Sequence, residues 1–211
     1  MKRVLYIGGK GLVGSSFKRI YQHDYEIVII DKEEKPRMEE FFAGSYDALI
    51  LSVHSEEAKA PYINSGIFDD HVTTLQKALE LGVGKIPTVI YFSTGSVYAA
   101  GRDRYTVESP LDIDGTISYG LSKIMAELLL KSFSNHYTSA SILRPFYIYG
   151  PGQRKVMLIR GMAERILTGQ EITIGKNGGL HFNPVFSDDV ARVLGNIIDA
   201  PKPGVGIYNI G

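Results

Sequence analysis

The chain contains no cysteine, which excludes a disulfide framework, a thiolate metal site and a cysteine nucleophile. It has no excess of either charge, because 23 Lys+Arg balance 23 Asp+Glu. The global positive field that a nucleic-acid binder draws on is therefore missing, and no nucleic-acid partner is expected. No apolar run approaches the ~20 residues needed to span a bilayer. The opening MKRVLYIGG lacks the apolar stretch and small-residue cleavage site of a signal peptide. The expectation is a soluble, cytoplasmic protein with no membrane partner. There is no internal repeat and no low-complexity tract. The five histidines, His23, His54, His71, His136 and His181, show no metal-ligand spacing, so no metal is expected.

What remains is an ordinary globular composition: 211 residues, 44% hydrophobic and 22% charged. At roughly 150 residues per domain this is one domain, or one plus a small lobe. Val4-Leu5-Tyr6-Ile7, Glu26-Ile27-Val28-Ile29-Ile30 and Ala48-Leu49-Ile50-Leu51 are continuous apolar runs of the kind buried on both faces of a sheet. Further strands are read at Thr88 to Phe92, Ala140 to Leu143 and Gly206 to Ile210. Helical spacing marks Leu12 to about Tyr21, the run Val72, Leu75, Leu79 and Gly82, and Tyr119 to Phe133. Strands alternating with helices predict an α/β fold, a doubly wound parallel sheet of Rossmann type. After Gly150-Pro151-Gly152 the pattern loosens. Met157 to Leu167 reads as a helix, Glu171 to Ile174 as a strand, Gly175 to Gly179 as a loop, and Ser187 as the cap of a helix running to about Asp199. The division expected is 1–150 for the dinucleotide-binding domain and 151–211 for a small lobe, with about 205–211 returning to the sheet.

Gly8, Gly11 and Gly14 form G-x-x-G-x-x-G between the first strand and the first helix. Chance supplies about 0.3 such triplets in a chain this rich in glycine, so the weight lies in the context. A strand-to-helix turn without side chains lets a pyrophosphate reach backbone N–H groups at the helix start. Gly8, Gly9, Lys10, Gly11, Leu12, Val13 and Gly14 are therefore candidate cofactor contacts. Asp31, at the end of the second strand, can accept bonds from the ribose hydroxyls of NAD and would repel a 2′-phosphate. Lys10 and Lys32 lie where a cation would favour NADP, so NAD is preferred and NADP stays open.

Tyr119 and Lys123 form Y-x-x-x-K, a pair that arises about once by chance in this composition. Tyr6 and Lys10 share the spacing, but they sit in a strand and a loop, whereas Tyr119 and Lys123 share one helix face. Oxidising a secondary alcohol needs a base to take the hydroxyl proton as hydride leaves for a nicotinamide. A tyrosine serving near neutrality must ionise ~3 pH units below its usual ~10, at a cost of about 4 kcal/mol. An ammonium ~4 Å away at an effective dielectric of ~20 supplies about that much, and Lys123 is the expected source. Ser93-Thr94-Gly95-Ser96 follows a strand at the sheet edge where such folds bind ligands, and offers hydroxyls to hold a substrate oxygen.

With these residues in place the chain resembles the extended short-chain dehydrogenase/reductase family, which contains NAD-dependent nucleotide-sugar epimerases and dehydratases. The matches are GGKGLVG at 8–14, Asp31, YDALIL at 46–51, FSTGSVY at 92–98, SYGLSK at 118–123, LRPFYIYGPG at 143–152 and FNPVFSDDVA at 182–191. The resemblance implies that Thr94, Tyr119 and Lys123 are the catalytic set, with Tyr119 as general acid/base. It also implies that Lys123 and Tyr119 contact the cofactor and that Ser52, Val53 and His54 line it. Ser93, Gly95, Ser96, Tyr147, His181 and Asn183 are implied to face the substrate. A homodimer through the Tyr119/Lys123 helix is a family habit.

Four departures qualify these implications. The Asp-Glu that follows the catalytic threonine in family 4,6-dehydratases is Gly95-Ser96, which argues against dehydration. The family's Asn is Tyr147, its Leu-Ala-Ala is Ser52-Val53-His54, and the chain stops at Gly211, where typical members continue. Either the sequence is a truncated product or its substrate pocket is small or open. Asp188-Asp189 is read as favouring a helix dipole. Arg144 either steadies its segment or pairs with a carboxylate. The leading expectation is an NAD(P)-dependent nucleotide-sugar epimerase. An NAD(P)H-dependent keto-sugar reductase and a non-catalytic dinucleotide-sensing protein are the alternatives.

Overall fold

The computed structural model describes residues 1–55, 62–101, 104–114, 117–153, 157–173 and 182–211. Eight strands and seven α-helices alternate among them. The first half runs β1 (Lys2–Ile7), α1 (Leu12–Tyr21), β2 (Tyr25–Ile30), α2 (Met38–Phe41), β3 (Ala48–Leu51), α3 (Ser65–Phe68), α4 (Thr74–Gly82) and β4 (Thr88–Phe92). The second half runs α5 (Ser118–Phe133), β5 (Ser139–Pro145), β6 (Tyr147–Tyr149), α6 (Leu158–Leu167), β7 (Pro184–Phe186), α7 (Ser187–Asp199) and β8 (Gly204–Ile210).

Six strands form one parallel sheet in the order β2-β1-β3-β4-β5-β8. Side chains along a strand alternate between faces, and each inner strand divides accordingly. Leu5, Ile7, Leu49, Leu51, Val89, Tyr91, Ala140 and Ile142 pack on one face with residues of α2, α4 and α5. Val4, Tyr6, Ala48, Ile50, Ile90, Phe92 and Leu143 pack on the other with α1 and α7. Helices on both faces explain why these strands read as unbroken apolar runs. Because all six strands point the same way, Gly8, Asp31, Ser52, Ser93 and Phe146 all emerge at one edge of the sheet. The strand order reverses between β1 and β3, which opens the crevice where such sheets take ligands.

Several local expectations change. The periodic run ending at Gly82 is not one plain helix: Asp69–Thr73 forms a π-turn between α3 and α4. Glu171–Thr173, the described part of the expected strand at 171–174, belongs to no strand, and the loop at 175–179 lies outside the described residues. Alternation there finds no strand to pair with among the described residues. Instead β6 and β7 make a two-stranded parallel sheet of their own. Ser187 is the first residue of α7 rather than its cap. Its hydroxyl is buried and accepts a hydrogen bond from Ser16 in α1 at 2.9 Å. Asp188 and Asp189 do lie in the first turn of α7, where they pair with Arg19 and Arg192. α7 thus lies against α1, and β8 completes the sheet, so residues 187–210 sit on the body formed by the six-stranded sheet. Outside it stand α6 and the β6–β7 pair.

Phe17 is fully buried, with the rings of Tyr6, Tyr21 and Tyr25 at centroid distances of 5.8, 5.1 and 5.9 Å. Phe17→Ala removes the centre of this aromatic group and should lower the unfolding free energy by about 3–5 kcal/mol. Chemical denaturation checks this, and a loss below about 1 kcal/mol would contradict the packing described.

Candidate active site

The glycine loop forms the floor at the reversal point. Gly8 has φ +82°, and a Cβ there would lie 2.8 Å from the Ser52 carbonyl oxygen. At Gly14 a Cβ would lie 2.2 Å from the carbonyl oxygen of Gly9. Only bare backbone fits, and it brings the start of α1 against the ends of β1 and β3. Gly11 caps α1 with no side-chain bond, so the first helical N–H groups are open to an anion. Lys10, Gly11 and Leu12 reach solvent, while Gly9, Val13 and Gly14 are buried beneath them.

Asp31 turns its carboxylate to this loop. It accepts from the Lys10 backbone N–H at 3.1 Å and from that of Lys32 at 2.9 Å. The Lys10 ammonium is held by Glu33 at 3.2 Å and Glu34 at 3.3 Å. The group expected to welcome a phosphate is therefore already engaged by two carboxylates. Cradle and carboxylate together fit a dinucleotide.

Ser52-Val53-His54 links the loop to the catalytic set. The Ser52 hydroxyl lies 3.3 Å from both the Tyr6 hydroxyl and the Gly8 carbonyl. The Val53 carbonyl accepts from Lys123 Nζ at 3.1 Å, and the His54 ring stands edge-on to Tyr119 at 6.1 Å. Lys123 is buried, and its second acceptor is the Phe92 carbonyl at 3.1 Å. Tyr119 lies one turn before it, with the Thr94 side chain near enough to its phenol to favour ionisation. Thr94 is extended and nearly buried, and its hydroxyl accepts from the Ser96 N–H at 3.2 Å. The structure thus brings Thr94, Tyr119 and Lys123 together beside the crevice.

The electrostatics differ from the expectation in one respect. Burial lowers the Lys123 pKa to about 7, against the pull of Asp70 and Glu127. Burial raises that of Tyr119, and the Thr94 side chain only partly offsets it. Lys123 sits in a dry site with two neutral carbonyls, so by itself it does not bring the phenol to neutrality. In the protein alone Tyr119 is an acid, and a base role needs further positive charge nearby. His71, in the π-turn, places Nδ1 2.8 Å from the Ser122 hydroxyl, which donates to the Tyr119 carbonyl at 2.8 Å. Burial and the charge of Lys123 push the His71 pKa down to about 2, so this ring is neutral.

The substrate side is assembled less completely. Ser93 is buried and gives its hydroxyl to Glu127 at 2.5 Å, so that hydroxyl points inward rather than to a substrate. Gly95 is overlain by Phe146, whose ring would lie 2.6 Å from a Cβ at that position. Ser96 and Asn183 are exposed. Tyr147 is half-buried against Phe182 at 5.0 Å, and its hydroxyl accepts from the Ile159 N–H at 3.4 Å. His181 lies outside the described residues. Arg144 proves to pair with a carboxylate, binding Glu127 through Nε at 2.9 Å and Nη2 at 2.6 Å. Sequence alone does not single out Glu127, His71 or Phe146. The one available cue is Glu127, a carboxylate one turn beyond Lys123 on a largely apolar face.

Comparisons with known proteins bear on the family and the fold. A family model described as NAD dependent epimerase/dehydratase family matches residues 4–211. A protein of Escherichia coli O111:H-, described as an uncharacterized 37.6 kDa protein in the cld 5'region, is 26% identical over 178 residues. That match covers 82% of this chain and 53% of the other protein, so the chain spans about half the length of the curated relatives it matches. The UDP-N-acetylglucosamine 4-epimerase of Methanobrevibacter ruminantium M1, solved with UDP-N-acetylmuramic acid, superposes with a TM-score of 0.86 at 19% identity. That superposition covers 100% of this chain and 76% of that one. The UDP-glucuronic acid 4-epimerase of Bacillus cereus, solved with UDP-glucuronic acid and NAD, gives 0.79 at 20% identity, over 99% and 77%. At such identities the likeness establishes the fold, a parallel sheet of Rossmann type. Among the described residues no group of side chains could hold a metal ion and no helix is long and apolar enough to cross a membrane.

The burial of Lys123 has a measurable consequence. Its folded pKa of about 7 lies below the ~10.4 of an unfolded lysine, so between those values unfolding takes up a proton and stability rises with pH. Relative to Lys123→Met, the natural protein should gain roughly 1.4 kcal/mol per pH unit between about pH 7 and pH 10, and nothing below pH 7. Parallel stability curves for the two proteins would show that the amine is not perturbed.

Proposed function

The chain belongs to the NAD dependent epimerase/dehydratase family, and from that premise we propose that it is an NAD-using nucleotide-sugar epimerase. The observation that carries the proposal is the approach of the Thr94 side chain to the Tyr119 phenol, with the buried Lys123 Nζ 5.9 Å from the phenol ring. Thr94 holds the substrate oxygen, and Tyr119 removes the proton from one alcohol and restores it to the resulting ketone. Lys123 positions the phenol and supplies positive charge whenever its amine is protonated. Bound NAD would supply hydride exchange and, in its oxidised form, positive charge beside the phenol. The glycine loop and the start of α1 would hold its diphosphate, and Asp31 its adenine ribose.

NAD is proposed over NADP because Asp31, Glu33 and Glu34 gather where the extra phosphate would sit, with Lys10 already shared between two of them. Epimerisation is proposed over dehydration because the elimination carboxylates are absent, and Phe146 leaves no space for one at Gly95. The nucleotide-sugar class is supported by relatives such as the UDP-N-acetyl-alpha-D-glucosaminuronate decarboxylase of Bacillus cytotoxicus, of which the chain covers 56%. The Rossmann body is taken as 1–150 and the remainder as a lobe that returns to it, and the compartment is proposed to be the cytoplasm. A second copy of the chain is the proposed partner. Ile117, just before α5, and Leu128 on it stand 52% and 58% exposed, with the half-buried Leu121 and Met125 on the same stripe.

Two experiments test this reading. Mass spectrometry of small molecules released from purified protein should find NAD rather than NADP. Turnover of UDP-sugars should then consume no net cofactor and fall by at least about 100-fold in Tyr119→Phe, with NAD affinity kept. Unchanged turnover in that variant overturns the assignment, and stoichiometric loss of NADH identifies a keto-sugar reductase instead. Leu128→Glu should convert the dimer to a monomer in sedimentation, and a natural protein that sediments as a monomer refutes the second copy.

A further inference from the structure

We propose that Ser93, Glu127 and Arg144 form a buried clamp whose task is to hold the Thr94–Tyr119 contact in register, and that all three are positioning residues. The proposal rests on the catalytic reading above and adds residues that this reading leaves without a role. Tyr119, Lys123 and Glu127 follow one another at four-residue intervals and so share one stripe of α5. The first borders the crevice, the second lies buried behind it, and the third reaches past both to the strands. One Glu127 oxygen accepts from Ser93 at 2.5 Å and from Arg144 Nε at 2.9 Å, and the other accepts from Arg144 Nη2 at 2.6 Å. Both charged side chains are 98% or more buried.

The guanidinium is engaged on its far side as well. Arg144 Nη1 donates to the Tyr98 hydroxyl at 2.9 Å and more weakly to the Val107 carbonyl at 3.4 Å. Tyr98 in turn donates to Asn209 Oδ1 at 2.6 Å, and its ring lies under the guanidinium at 5.0 Å. One carboxylate therefore ties α5 to the exit of β4, to β5 and, through Tyr98, to β8.

A buried pair of this kind adds little net stability over an apolar replacement of equal shape, because desolvation consumes most of the attraction. What it does impose is geometry, since a bidentate carboxylate–guanidinium contact tolerates little sliding. Ser93 precedes Thr94 in an extended segment, so any shift of Ser93 is carried straight to the threonine hydroxyl. Glu127 lies two turns from Tyr119, so any shift of the helix is carried to the phenol. The clamp closes on both arms of the catalytic contact at once.

The test uses the unliganded full chain labelled with [13Cζ]tyrosine, in which the Tyr119 resonance is assigned by its loss in Tyr119→Phe. Thr94→Val removes the hydroxyl beside the phenol and sets the reference displacement of that resonance at pH 8. Ser93→Ala, which leaves Glu127 its arginine, should move the resonance in the same direction, and Ser93→Thr should restore it. Arg144→Lys keeps the charge but loses the fork, and should do the same as Ser93→Ala if that variant melts below the working temperature. In turnover, Ser93→Ala should lower kcat about 10- to 100-fold with KM changed less than about threefold. A resonance that stays in place in both folded variants overturns the clamp and leaves a purely structural ion pair. A natural protein that turns over no nucleotide-sugar refutes the proposed function alone, since the resonance measurement needs no substrate.

Discussion

Helix α5 carries Lys123 and Glu127 into space that water does not enter and leaves Tyr119 half-buried beside the crevice, and the arrangement of the whole site follows from how each is satisfied. An unpaired charge there would cost several kcal/mol, so every polar atom must find a partner fixed in the fold. Lys123 finds two carbonyls at the ends of β3 and β4, Glu127 finds Arg144 and Ser93, and Tyr119 finds Thr94. These partners lie at the carboxyl edge of the sheet because only there do parallel strands release unpaired carbonyls and loop hydroxyls together. The helix is thereby fixed in rotation and in height against the strands. The same dryness sets the chemistry, since it holds the amine near neutrality and keeps the phenol protonated.

A second constraint meets the first at the reversal of strand order. The loop from β1 to α1 must be bare, because Gly8 and Gly14 touch backbone on one side and leave helix N–H groups free on the other. The next strand out contributes Asp31, which braces that loop by accepting from its Lys10 N–H. Ser52 and Val53 then join the two regions: the Ser52 hydroxyl lies beside Gly8, and the Val53 carbonyl holds Lys123. The departure from the family's Leu-Ala-Ala at these positions keeps the backbone contacts, because a carbonyl needs no particular side chain. His54 alone adds a new group, edge-on to the Tyr119 ring.

What could be read from the sequence is what local pattern encodes. Strands buried on both faces announce themselves as apolar runs, and β3 and β4 begin and end at the residues expected of them, Ala48 to Leu51 and Thr88 to Phe92. The helix at 118–133 and the glycine turn depend on neighbours in the chain, and so did their legibility. The β6–β7 pairing joins two segments of three residues across some thirty positions, and no local signal marks it. Glu171–Thr173 has the alternation of a strand but no partner, and alternation without a partner is not structure. Arg144 could be seen to need a carboxylate, whereas its choice of Glu127 depends on the packing of α5 against β5. The pKa of Lys123 is not legible for a related reason, because spacing gives proximity to Tyr119 but says nothing of burial.

The division between buried and exposed residues also separates chemistry from recognition. Thr94, Lys123, Glu127 and Arg144 are at most 9% exposed, so their geometry is imposed by the core and insensitive to what lies in the crevice. On the other side, Phe146 is 37% exposed and stacks at 12° on Tyr98, the residue that receives Arg144. Phe146 is thus held from behind by the clamp while its open face looks outward over Gly95. Changing that ring would reshape the wall without disturbing the carboxylate–guanidinium contact, because the two share only the Tyr98 ring. In α6 no described residue is buried, and Ser96 and Asn183 stand in solvent, so nothing in the core dictates their identity. Substrate preference can therefore vary through these exposed positions while the proton-handling groups stay where the sheet and α5 hold them.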